Sequence, residues 1–460
     1  MPPMTEYPLL RAHRPGSVFA VRSGQPITVE TFLNDVAALA ELLPVRGHVV
    51  NLCPDRYRFA VGFAAALCRK QLNLLPPHDS PLLLEQLKAD YPDVYCLTDG
   101  TAPPASLDVF DYPSTLGHPA AKRSPAVPVI AAGQPAVVLF TSGSTGRPRP
   151  HARNWGDLVL SALSEGRRLN LTELGCSSLL GTVPHQHSFG LESVLMLALQ
   201  HGLTLCAERL FYPADIRAQI AAAPRPRILV TTPVHLRVLL AEPEPPPPVD
   251  LVLSATAPLA AQLARDAEAR FAVSLLEIYG CSEAGQIAAR RTAVTDEWRC
   301  LDGIVLRQDE AGTWVSGASI ATETLLSDVI ELRDQTRFLL HGRIADMVNV
   351  AGKRTSLAHL NHHLNAIDGV RDGAFVMSSN PESDTITRLT AFVVAPGRSA
   401  GFILAELRRR IDAAFLPRPL CLVEALPRNA VGKLPYDEIQ RLIADSQSHI
   451  TDVQRDESLD

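Results

Sequence analysis

The segment Val137–Pro150, VVLFTSGSTGRPRP, carries an apolar run directly into hydroxyls, glycines and guanidinium groups. Thr141, Ser142, Ser144 and Thr145 offer hydroxyl donors, while Gly143 and Gly146 permit the bend. A glycine-rich turn can aim several backbone N–H groups at one anion, because glycine adopts dihedrals closed to other residues. Arg147 and Arg149 add fixed positive charge of the kind that grips phosphate bidentately. The chemistry predicted is a phosphate cradle. Its spacing is not the G-x-x-x-x-G-K-[ST] of a Walker loop, which disfavours a P-loop kinase or GTPase. Composition alone also allows a plain Ser/Gly surface loop.

Such a cradle must be held by regular elements. HVVNLCP precedes RFAVGFAAALCRK, AVVLFTS precedes WGDLVLSALSEGRRL, RILVTT precedes PVHLRVLLAE, and DLVLSAT precedes LAAQLARDAEARF. Strand, turn and helix in repeated alternation predict an α/β protein with largely parallel sheets. Ligands in such sheets sit beyond the carboxyl ends of the strands, where the cradle falls. The proline tract Glu242–Asp250 reads as a surface connection, since the alternation continues beyond it. A boundary is expected near Leu339–Asn349. It divides an N-terminal domain, 1–341, from a C-terminal domain, 342–460, whose LAHLNHHLNAI, RLTAFVVAP, ILAELRRRIDAAF and LCLVEALP predict helix, strand, helix and strand.

The chain has 460 residues, 46% hydrophobic and 20% charged, with a net charge of −6. That is the profile of a globular enzyme, with no basic face for nucleic acid. The longest apolar stretch, Phe59–Cys68, is too short for a membrane span, and the N-terminus lacks a secretory pattern. Eight scattered cysteines without a C-x-x-C pair predict neither a disulfide framework nor a zinc knuckle, and hence a cytoplasmic protein.

Phe140–Pro148 resembles the phosphate loop of the adenylate-forming superfamily, the acyl-CoA synthetases, aryl-CoA ligases and adenylation domains, with Arg149 where lysine is usual. Further blocks follow in the family's order. TVPHQHSFGLES resembles the segment whose histidine, here His187, gates or lines the acid pocket. LVLSATAPLAAQL resembles the adenine block and places Ala257 beside the nucleotide, though Ala255 and Thr256 replace the usual glycines. EIYGCSEAG resembles Y-G-x-T-E: Tyr279 and Gly280 would meet adenine, Ser282 replaces threonine, and Glu283 would hold Mg²⁺. LLSDVIEL supplies Asp328 for the ribose hydroxyls; HGRIADMVNVAGKR supplies Arg343 at the hinge and Arg354 near the adenylate or thiol; LPRNAVGKLPYDEI supplies Lys433.

The resemblance implies a large N-terminal α/β domain with stacked sheets, plus a small mobile α+β C-terminal domain turning about 342–346. It implies ATP and Mg²⁺ as cofactors, a carboxylic acid as substrate, and CoA or the 4'-phosphopantetheine of an acyl carrier protein as acceptor. Lys433 would bridge the carboxylate and the α-phosphate in adenylation, then leave as the domain swings to admit the thiol. RPRPHARNWGDLV is similar to stand-alone ligases of aryl-polyene and pigment pathways, which load an aryl acid on a carrier. Two other readings are an adenylate-only acyl-AMP ligase and a non-catalytic nucleotide-binding regulator. Ala345 replaces the first hinge aspartate, and His359 and Asn361 stand where glutamates are expected. His185 with His187, and His359 with His363, have spacings that metal sites use, but neither pair has a third ligand in view. Cys281 reads as pocket lining, not as a nucleophile.

Overall fold

The computed structural model describes residues 4–14, 16–100, 106–116, 126–141, 149–343, 347–350, 353–378, 388–429, 432, 434–435 and 438–443. Among them, two sheets stack with helices between and outside them. The smaller has six strands in the order 149–154, 135–141, 72–75, 48–51, 95–98 and 108–111. The larger has eleven, and its strands 275–281, 251–254, 227–231, 178–181, 204–206 and 18–22 run parallel. Beyond 275–281 the pairing turns antiparallel through 285–290, 298–300, 337–343 and 328–332.

Helix Arg56–Cys68 explains the stacking. Asp55 caps it by accepting from Arg58 N at 2.9 Å, and its body, FAVGFAAAL, is apolar on every side. Such a helix is stable only with both faces covered. Phe59 and Phe63 are fully buried in a core that also takes Leu75 of the smaller sheet and Leu179, Val230 and Leu253 of the larger. Each such ring contributes roughly 1.5–3 kcal/mol by leaving water. A second core seats helices 213–222, 233–241 and 261–271 on the outer face of the larger sheet, and a third seats helix 81–90 on the smaller. The result is the mixed α/β architecture expected, in five alternating layers.

After 347 a separate core gathers Val348, Leu360, Phe375, Val393, Ile403 and Phe415. It belongs to a three-stranded sheet, 372–378, 388–394 and 420–422, with helices 357–365 and 400–408.

Two features depart from the sequence reading. Strand 135–141 leads into an antiparallel strand, 149–154, with Thr141 opposite Arg149, before helix 155–168 begins. The strands on either side of the expected cradle therefore pair with each other. Pro150 fits this strand because it lies at a sheet edge, where a missing N–H costs no ladder bond. The second departure is a π-helical turn, Leu191–Met196, inserted between helical residues 188–190 and 197–201.

Candidate active site

A cleft of about 1920 Å³ opens where the parallel strands of the larger sheet end. Arg149, His187, Ala257, Tyr279, Gly280, Ser282, Glu283 and Asp328 all line it, although they are far apart in sequence. Thr141 closes strand 135–141 at its edge; its side chain, and those of Arg343 and Arg354, fall outside the described residues. Ser142, Gly143, Ser144, Thr145, Gly146 and Lys433 also lie outside them.

Strand 275–281 and its partner 285–290 build the centre of the site. Gly280 lies opposite Gln286, and a methyl on Gly280 would sit 2.4 Å from the Gly285 carbonyl oxygen, so the hairpin closes only with glycine. Gly285 has φ +78°, and the Arg153 guanidinium occupies the place of its missing side chain, 2.1 Å from a Cβ there. Tyr279 packs against Trp298 and Phe338 at ring-centroid distances of 5.6 and 5.7 Å, and its hydroxyl donates to Asp328 at 2.8 Å. Glu283 stays 40% exposed, 3.8 Å from His151 Nε2 across the edge strand. Burial and the Glu283 charge push the Cys281 thiol up to about 12, so it is protonated at neutral pH and no nucleophile. Thr256 does hold a left-handed φ of +78°, a conformation that costs a β-branched residue about 1–3 kcal/mol.

Sequence reasoning missed the groups that fix these loops. Glu277 is buried; its Oε1 accepts from Leu259 N at 3.0 Å, and its Oε2 accepts from Arg290 Nε at 2.8 Å and Thr292 Oγ1 at 2.6 Å. The loop bearing Ala257 is thus tied to the strand bearing Tyr279. Arg56 is equally buried and donates to the carbonyls of Gly181, Val183, Cys206 and Glu208 at 3.0–3.2 Å, joining its helix to the ends of two strands. Burial lowers it to about 10, so it remains a cation. The only sequence signal was a charge at the start of an otherwise apolar helix.

The opposite wall is built from hydroxyls and carboxylates. His185 is buried beside Phe59, donates Nε2–H to the Cys53 carbonyl at 2.8 Å, and is pushed down to about 3 by burial and by nearby Arg56. It is a neutral structural histidine, while His187 lines the cleft two residues on. Gly190 lets this turn close, since a Cβ there would lie 2.0 Å from the Pro184 carbonyl. On the π turn, Glu192 accepts from Ser188 Oγ and Ser161 Oγ, both at 2.9 Å. Behind it, Glu165 accepts from Ser193 Oγ at 2.7 Å, and Ser193 accepts from Gln286 Nε2 at 2.7 Å. Burial raises Glu165 to about 8 against the opposing effect of these bonds.

Residues 79–311, half of the chain, match the model of the AMP-binding enzyme family. The 4-coumarate–CoA ligase of Rhodobacter capsulatus is 30% identical over 301 residues, 64% of this chain and 74% of that protein. The chain belongs to the AMP-binding enzyme family. It is by class an AMP-forming acid–thiol ligase, as the adenylate-forming resemblance of its motifs implied. The indoleacetate–CoA ligase of Aromatoleum aromaticum is 25% identical over 362 residues, covering 70% of this chain and 69% of that one. The fold matches ATP-bound MatB from Rhodopseudomonas palustris at a TM-score of 0.79 and 18% identity, over 93% and 96% of the two chains. It matches o-succinylbenzoate CoA synthetase from Bacillus subtilis equally well, at 0.79 and 18%, over 94% and 97%.

In this ligase the C-terminal segment reaches the cleft. Arg428 clamps Asp372 through Nε at 2.6 Å and a terminal nitrogen at 2.8 Å, and Arg237 of helix 233–241 stands 3.7 Å from the same carboxylate. Gly432, with φ +81°, sits against Val234, and its carbonyl accepts from Arg428 at 2.9 Å. Gly432 and Leu434, the neighbours of Lys433, both line the cleft, as do His359 and His363. Those two rings meet edge to face at a centroid distance of 4.6 Å, and burial with repulsion from neighbouring His362 lowers both. Among the described residues, no group of three or more His, Cys, Asp or Glu side chains is arranged to hold a metal. No described helix is long and apolar enough to cross a membrane.

Proposed function

We propose that this enzyme activates an aryl carboxylic acid with ATP and passes the acyl group to a pantetheine thiol. The observation that carries the reading is the convergence of Tyr279, Glu283, Asp328, Arg149 and His187 on one cleft, with the neighbours of Lys433 at its rim. The acid class is supported by relatives named for 4-coumarate, indoleacetate and hydroxybenzoate. In the first half-reaction the acid's carboxylate oxygen attacks the α-phosphorus, the bond to the bridging oxygen breaks, and pyrophosphate leaves. Both partners are anions, so charge neutralisation and alignment must supply the catalysis. Lys433 carries that role, worth about 3–4 kcal/mol for a preorganised contact of this kind. The loop 141–149 and Arg149 hold the phosphates, Asp328 the ribose, and Tyr279, Gly280, Ser282 and Ala257 the base.

Glu283, an exposed carboxylate at the cleft, offers the hard oxygen that Mg²⁺ prefers. When bound, the ion supplies charge neutralisation for the leaving pyrophosphate. In the second half-reaction the thiol loses its proton, its sulfur attacks the acyl carbon, and the bond to AMP breaks. We assign the division of labour to domains 1–341 and 342–460, with the separate core beyond 347 in support, and the hinge to 342–346 with Arg343 and Arg354 beside it. Gly342, at φ +119°, provides a compliant position there. The acceptor is tested by incubating the enzyme with ATP, Mg²⁺, an aryl acid, and either CoA or a phosphopantetheinylated carrier protein. A mass shift of one acyl group on either thiol supports the reading; acyl-adenylate accumulating with both thiols inert contradicts the transfer step.

A further inference from the structure

Helix Pro233–Ala241 buries Leu236 and Leu239 in the outer core of the larger sheet, which leaves Val234 and Arg237, three positions apart on one face, half-buried. Both meet the C-terminal segment. Val234 stands where a side chain on Gly432 would be, 2.8 Å from a Cβ there, and a terminal nitrogen of Arg237 lies 3.7 Å from Asp372. Burial lowers the pKa of this guanidinium; Asp372 opposes that, and Arg428 adds to it. Asp372 is already held from its own side. Arg428 grips both its oxygens, at 2.6 and 2.8 Å, and with its other terminal nitrogen donates to the Gly432 carbonyl at 2.9 Å. One arginine thus ties strand 372–378 to Gly432, whose own N–H donates to the Asn429 carbonyl at 2.8 Å. Arg428, Gly432 and Leu434 line the cleft, whereas Arg237 and Asp372 stand outside that lining.

We propose that Arg237 and Asp372 are positioning residues for acyl-adenylate formation: their ion pair docks Gly432, the neighbour of Lys433, on helix 233–241. This inference rests on the proposed role of Lys433 in that step. Arg428 and Asp372 satisfy each other within the C-terminal segment, so the carboxylate does not need Arg237 for its neutralisation. What Arg237 adds is a charge anchored to the larger sheet. A second guanidinium on a carboxylate already paired bidentately fixes the register between two elements more than the fold of either. That register matters to rate, because a catalytic contact displaced by about 1 Å can lose about a hundredfold. A single nitrogen at 3.7 Å calls for a positive charge and not for the fork of an arginine, so lysine should serve at this position.

The test is acid-dependent exchange of labelled pyrophosphate into ATP, with ATP binding and the thermal unfolding midpoint measured alongside, on the wild type, Arg237→Glu, Arg237→Lys and Asp372→Asn. Arg237→Glu sets two carboxylates against each other and should lower kcat for exchange by about tenfold, while KM for ATP and the unfolding midpoint hold. Asp372→Asn also loosens Arg428 and should lower kcat at least as far. Arg237→Lys should stay within about twofold of the wild type. Exchange at the wild-type rate in Arg237→Glu overturns the inference, as does Arg237→Lys behaving no better than Arg237→Glu. Rate, ATP binding and unfolding midpoint falling together would mark Arg237 as merely structural and overturn it too, leaving the ligase reading standing. A wild type that binds ATP but exchanges with no acid contradicts the ligase reading itself, and the inference with it.

Discussion

Two buried glutamates line the cleft, and their carboxylates are satisfied differently. Glu277 is held by a guanidinium, a hydroxyl and a backbone N–H, while Glu192 has only two serine hydroxyls and backs onto a second buried carboxyl, Glu165. A carboxylate locked by a fixed cation holds loops in place. One satisfied by rotatable hydroxyls sets the direction of those hydroxyls, and so the polarity of a surface. On this account the strand bearing Tyr279 is held by a fixed cation, and the wall that follows His187 by hydroxyls that can turn.

The contrast is broken most strongly at Glu277. Removing it as Glu277→Ala takes from the half-buried Arg290 its partner at 2.8 Å, leaving Asp296 at 3.7 Å, and frees the Leu259 loop, and should cost about 3 kcal/mol in denaturant unfolding. A loss below 1 kcal/mol would show that the pair is not structural. Next comes pH. The folded protein keeps the Glu165 proton up to about pH 8, whereas the unfolded chain releases it near 4.5, so the folded state binds more protons between these values and stability falls as pH rises. In Glu165→Gln that loss disappears. Unfolding midpoints from pH 5 to 8 should diverge from wild type by on the order of 1 kcal/mol per unit, in favour of the variant. His185 acts oppositely: the unfolded chain gains a proton below about 6.5 that the folded histidine refuses until about 3, so stability also falls on acidification. A smaller effect follows from Ser161→Ala, which removes one of the two bonds to Glu192 and should cost about 1.5–3 kcal/mol. Glu192→Gln, isosteric and still bonded, should change stability by less than about 1 kcal/mol.

Much of the parallel core was legible because its strands are apolar runs followed by amphipathic helices, as in RILVTT before PVHLRVLLAE. Strand 149–154 was not, since its edge position tolerates a proline and five polar or small residues that local pattern reads as loop. At the site, the motif blocks named Tyr279 and Asp328 separately, but nothing in the chain says that the tyrosine hydroxyl meets the aspartate 49 residues on. Arg56, Glu277 and Glu192 were invisible for the same reason. Their partners are distant in sequence, and a lone charge in an apolar stretch carries no signal of what will neutralise it.

The central claim is the proposal that this enzyme adenylates a carboxylic acid and that Lys433 carries the step. It is tested most directly by exchange of labelled pyrophosphate into ATP, dependent on added aryl acid, in the wild type and in Lys433→Ala. The account predicts exchange in the wild type and a loss of at least about a hundredfold in the variant. Wild-type protein that binds ATP yet exchanges with no acid, or a variant that exchanges as well as wild type, would contradict it.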